Sequence, residues 1–96
     1  MVFGFLFKKR DPQDQGILVG EVIHYFGKLK VAVIKVEKDK LSIGDEIRIK
    51  GFTTDFKEKV NSMQLEHETI ETASRGEEAA IKVKKKVRRG DKVWKI

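Results

Sequence analysis

The chain has no cysteine among its 96 residues, and it has one proline, one tryptophan, one tyrosine and two histidines. Without cysteine it can form no disulfide, no reactive thiolate and no cysteine-bound zinc or iron–sulfur cluster, and a reducing cytoplasm is the expected compartment. His24 and His67 stand far apart with no further ligand pair at metal spacing, so no metal site is expected. A G-x-x-x-x-G-K-[ST] loop is absent, which excludes GTP binding in the P-loop manner. Ser42, Ser62 and Ser74 lack the context of an activated nucleophile, and no carboxylate pair stands out from the charged background. The expectation is a non-enzyme without a cofactor. Long apolar runs are missing too: Met1-Val2-Phe3-Gly4-Phe5-Leu6-Phe7 is too short to span a bilayer, and it lacks the basic flank and cleavage site of a signal peptide. No integral membrane segment is expected.

Charge is what the chain has in abundance. Charged residues make up 38% of it, dominated by lysine and glutamate, a balance that fits a thermophilic source. The net charge of +6 is unevenly placed. From residue 82 to 96 there are eight basic side chains against one acid, Asp91, so this stretch carries +7 and the remainder −1. Lys82, Lys84, Lys85, Lys86, Arg88, Arg89 and Lys92, together with Trp94, form the candidate nucleic-acid surface, since clustered cations displace counterions from a phosphate backbone. The structural alternative is that these cations solvate a strand and pair with Glu66, Glu68, Glu71, Glu77 and Glu78. Tyr25, Phe26, Phe52, Phe56 and Trp94 are candidate stacking residues, with Tyr25 and Phe56 expected in the core.

Three glycine–acid pairs punctuate the sequence: Gly44-Asp45, Gly76-Glu77 and Gly90-Asp91, each followed by a short segment that alternates toward apolar residues. Glycine accepts the positive φ of a tight turn and the acid can cap that turn, so each pair reads as a turn entering a strand. Residues 17–26 and 28–36 are rich in valine, isoleucine and aromatics and are joined at Gly27, the pattern of a hairpin; both carry apolar residues on both faces, which implies central positions or a covered outer face. A strand is expected over 46–50. A longer one, with Phe56, Val60, Met63 and Leu65 inward, is expected to bulge between Val60 and Met63. Residues 69–74 are open between a helical turn and irregular loop. About six strands and no helix predict an all-β domain, a small six-stranded antiparallel β-barrel over 16–96, preceded by an apolar tip and polar linker over 1–15.

Four ordered blocks then carry a resemblance: Leu41-Ser42-Ile43-Gly44-Asp45-Glu46-Ile47-Arg48-Ile49, Val60-Asn61-Ser62-Met63-Gln64-Leu65-Glu66-His67, Arg75-Gly76-Glu77-Glu78-Ala79-Ala80-Ile81 and Arg89-Gly90-Asp91-Lys92-Val93. They resemble the second domain of translation elongation factor Tu, a six-stranded barrel. Val22-Ile23-His24-Tyr25-Phe26-Gly27-Lys28 and Gly51-Phe52-Thr53-Thr54-Asp55-Phe56 look closer to the C-terminal barrel of collagenase-like peptidases of family thirty-two, and stand-alone archaeal elongation-factor-like proteins look similar over the same span. The elongation-factor resemblance places Gln64, His67 and Glu78 where that barrel holds the aminoacylated 3′ end of tRNA with a Glu, an Arg and an Asn. A neutral histidine and an added acid do not reproduce that capture of a polyanion.

Two functions follow. The first is a non-catalytic, translation-related module contacting RNA, the ribosome or another ribonucleoprotein through the basic C-terminal face. The alternative is a protein–protein accessory domain docking on a peptidase-like catalytic subunit, with Phe3, Phe5, Leu6 and Phe7 as candidate partner-binding residues, because such a tip is costly to leave in water. Interleaved surface charge with an exposed phenylalanine patch favours the second.

Overall fold

A computed structural model describes residues 16–96; the N-terminal candidates Phe3, Phe5, Leu6 and Phe7, and the boundary placed at residue 15, lie outside the described residues. The described chain is all-β. Its strands are β1 (Ile17–Phe26), β2 (Val31–Val36), β3 (Leu41–Ser42), β4 (Glu46–Lys50), β5 (Asp55–Lys59), β6 (Met63–Leu65), β7 (Glu68–Thr69), β8 (Thr72–Ala73), β9 (Glu78–Lys82) and β10 (Lys92–Lys95). Eight of them form one antiparallel sheet in the order β5-β4-β10-β1-β2-β9-β6-β7, and β3 pairs with β8.

The expected closed, six-stranded barrel is therefore corrected: the main sheet has eight strands and its hydrogen-bond ladder does not close. The expected long strand is two strands, because β5 ends at Lys59 and β6 starts at Met63. Those two lie near opposite edges, six strand spacings apart in the sheet order, or about 29 Å if the sheet were flat. Four residue steps span at most about 14 Å, so the sheet curls until β5 comes beside β6. Glu58 helps to bridge the gap. It faces inward from β5, is 7% exposed, and its Oε1 accepts the backbone N–H of Lys84 beyond β9 at 2.9 Å. Bulges occur elsewhere, in the pairing of β1 with β2 at Val22/His24 and of β10 with β1 at Val93/Trp94.

The three glycine–acid turns are one device used three times. Gly44, Gly76 and Gly90 have φ of 97°, 94° and 96°. In each the acid side chain accepts the N–H three residues earlier: Asp45 from Ser42 at 2.8 Å, Glu77 from Ser74 at 2.7 Å and Asp91 from Arg88 at 2.8 Å. Each turn also clasps a buried valine of another segment. The glycine N–H donates to the carbonyl of Val60, Val36 or Val22, and the same valine N–H donates back to the carbonyl of Asp45, Glu77 or Asp91. These acids thus have their hydrogen-bonding role in the scaffold.

The inward residues alternate as strand geometry requires. Ala32, Ile34 and Val36 of β2, Ile47 and Ile49 of β4, Ala79 and Ile81 of β9, and Val93 of β10 are buried in one core with Val19, Val22, Leu41, Val60 and Met63. Tyr25 and Phe56 are half-buried against it. Residues 69–74, left open between helix and loop, contribute to the short strands β7 and β8. The β1–β2 hairpin forms, but its left-handed residue is Lys30, with φ of 55°, and not Gly27.

Candidate functional site: an outward apolar groove

Period-two alternation sends Val31, Val33 and Lys35 of β2 to the outer face. Register then aligns outer neighbours across the sheet. His24 pairs with Val33, Val33 with Ala80, and Ala80 with Gln64, so this row crosses β1, β2, β9 and β6. One step further along, Phe26 pairs with Val31 and Val31 with Lys82. These two rows floor a groove of about 530 Å³ that Leu29 borders and Gln64, Glu66, His67 and Glu78 rim. Phe26 and Leu29 are 45% and 61% exposed, and the Phe26 ring meets His24 edge-on with centroids 4.3 Å apart.

The rim has unusual backbone. Glu66 and His67 connect β6 to β7 with φ of 51° and 69°. Two consecutive left-handed residues in a two-residue hairpin are the geometry that normally selects Asn-Gly, and neither residue here is glycine. Their side chains are thereby set beside the groove. A second, polar hollow adjoins it, lined by Leu65, Glu66, Gly76, Glu77 and Glu78, so the apolar floor leads into an acidic notch.

The cationic candidates do not assemble into one face. Lys82 lies at the groove end, with Nζ 3.5 Å from the Leu29 carbonyl. Lys84, Lys85, Lys86, Arg88 and Arg89 are exposed on the connection between β9 and β10. Lys92 stands three strands away from Lys82 in the sheet order, and its Nζ pairs with Glu21 at 2.9 Å. That hydrogen bond holds the Lys92 ammonium above its ordinary pKa of 10.5. Its row runs Asp55, Lys50, Lys92, Glu21, Lys35, Glu78, an interleaving of both signs. Trp94 is half-buried in β10 with Arg48 and Leu18 as cross-strand neighbours, not the exposed platform that stacking requires. The expected pairing of the cations with Glu66, Glu68, Glu71, Glu77 and Glu78 also does not form among the described residues; the acids in ion pairs there are Glu21, Asp39, Asp45 and Asp55.

Gln64, His67 and Glu78, singled out by position in the sequence, do converge on the groove. Its floor was not singled out. The available signal was the presence of apolar residues on both faces of β1 and β2, which marked an outer surface needing cover without saying which residues share it. Phe52, in the turn before β5, is fully exposed and stands apart from the groove's lining. Among the described residues no three His, Asp or Glu side chains gather as a metal site, and no helix is long and apolar enough to cross a membrane.

No family model matches the sequence. Over 83 residues the chain is 44% identical to a collagenase of Porphyromonas gingivalis, covering 85% of this chain and 20% of the collagenase. Over 79 residues it is 42% identical to an uncharacterized protease of Methanocaldococcus jannaschii, covering 81% of this chain and 19% of the protease. The chain therefore spans about a fifth of the length of the curated relatives it matches. Among solved structures, the C-terminal domain of a Geobacillus thermoleovorans protein assigned to the U32 peptidases superposes with a TM-score of 0.78 at 16% identity, covering 93% of this chain and 99% of that domain. Its selenomethionine variant gives 0.76 at 18%, covering 80% and 96%. At that identity the likeness is one of fold. A collagenase, a protease and peptidase domains overturn the expected elongation-factor-like, RNA-binding character. The chain is homologous to part of collagenase-like proteins and has the fold of a U32 peptidase C-terminal domain.

Proposed function

We propose that this chain is a non-catalytic accessory module that docks on a peptidase-like catalytic unit, using the outward apolar groove as its contact surface. The observation that carries the reading is the coverage: the chain aligns with a fifth of a collagenase and with nearly all of a peptidase C-terminal domain, so it corresponds to a module and not to a whole protein of that kind. The surface supports it. An apolar floor of Val31, Val33, Ala80 and Phe26, set in charge of both signs, suits a protein partner better than a polyanion.

The test is binding in trans. The Porphyromonas gingivalis collagenase lacking its matching 83-residue stretch is titrated with this chain in a calorimeter. Saturable binding is expected, weakened at least tenfold by Val33→Glu, which alters only an outward side chain. No heat of binding, or equal affinity for both proteins, refutes docking through the groove.

A further inference from the structure

We infer that the groove is occupied by the chain's own residues 3–10, Phe3-Gly4-Phe5-Leu6-Phe7-Lys8-Lys9-Arg10, laid across it in the same molecule. This deepens the docking proposal and rests on it in one respect, that the groove is a contact surface at all. Two complementarities support this occupant. The groove is an apolar floor continued by an acidic notch at Glu66, Glu77 and Glu78, and the segment is an apolar run continued by three cations. Across the sheet Lys35 faces Glu78, but Glu66 and Glu77 form no ion pair with any described residue.

The order of the two halves also agrees with the direction of the chain. Gly16 lies beside Lys95 and Ile96 at the start of β1. The notch is level with Glu21, about 13 Å along β1, and about 14 Å to the side, three strand spacings away, so roughly 20 Å from Gly16. Residues 8–15 extend to about 26 Å, and Pro12 keeps such a linker open. Traced backward from Gly16, the chain thus brings Arg10, Lys9 and Lys8 to the notch first, then Phe7, Leu6 and Phe5 over Val33, Ala80 and Val31. A segment of the reverse order, apolar next to the linker and basic at the tip, would not match. The occupied groove would be closed to a partner until that partner displaced the segment.

Amide chemical shifts test this without any catalytic unit, so its outcome is separate from that of the docking test. Spectra of the full chain are compared with a chain starting at Gly16 and with full-length Lys8→Glu/Lys9→Glu/Arg10→Glu, which covers the case in which the shortened chain does not fold. Shifts at Val31, Val33, Gln64, Glu66 and Ala80 are expected to differ in both, and the peptide of residues 3–10 is expected to restore them in the shortened chain. Charge reversal in that peptide should weaken its binding about fivefold or more, as two or three exposed ion pairs allow. Shift changes confined to residues next to Gly16 overturn the inference. So do changes that grow with protein concentration alongside dimer formation, which would assign the groove to a second copy.

Discussion

Replacing Gly20 by alanine is expected to damage this domain far more than the same change at any glycine–acid turn. Gly20 lies in β1 with ordinary backbone, yet an added Cβ would sit 2.0 Å from the Lys35 carbonyl oxygen, 3.0 Å from its carbon and 3.2 Å from the Val36 Cα. All three are backbone atoms of β2, so no side-chain rotation relieves the overlap and the two central strands must separate. Overpacking of this kind costs about 3 kcal/mol at the upper end of its range, which for a domain near this size lowers Tm by about 12–24 °C. At Gly44, Gly76 and Gly90 a Cβ meets nothing within 4 Å, so the only penalty is left-handed backbone, about 1–2 kcal/mol each. The turns are far apart in the fold, so their costs should add. Urea unfolding of the four single variants and the triple turn variant measures this directly. Equal losses at Gly20 and Gly90, or a Gly20→Ala midpoint within 1 kcal/mol of the parent, would refute the assignment of close strand approach.

Two more outcomes follow from the scaffold. Glu58→Ala removes the acceptor of the Lys84 N–H, and a charged hydrogen bond of this kind is worth about 1.5–3 kcal/mol; Glu58→Gln keeps an acceptor and should recover half or more of the loss in the same unfolding assay. The exposed Asp55 carboxyl is held below its ordinary 3.8 first by the hydrogen bond from Arg48, against a smaller opposing effect of burial. Its folded value is depressed, so its small contribution is complete above about pH 4 and fades as pH falls through the lower folded value. Asp55→Asn should therefore lower the unfolding midpoint slightly at pH 6, with the difference vanishing by pH 2 and shrinking in high salt.

Much of the fold was legible because its signals are local. Glycine before an acid needs only a left-handed residue and a nearby amide, and all three turns form as such. Alternation likewise identified the faces of β2, β4 and β9. Glu58 was passed over because a charge at an inward position contradicts alternation unless its partner, 26 residues away in sequence, is known. The reading of one bulged strand failed for a related reason: the break after Lys59 follows from the curl of the whole sheet.

For the site the division is sharper. Composition excluded thiol chemistry and nucleotide loops, and the run of cations was plain, but its meaning depended on neighbours. Folding places Glu21 and Lys50 beside Lys92, half-buries Trp94 and scatters the remaining cations over a long connection. It also gathers Phe26, Val31, Val33 and Ala80, from three strands, into one floor. The sequence by itself determined the turns, the strand character and the residues able to form a core, since these depend on contacts a few residues apart. Tertiary structure alone decided that the positive charge is interleaved and the apolar groove continuous, because register across strands, not order along the chain, sets which side chains share a surface.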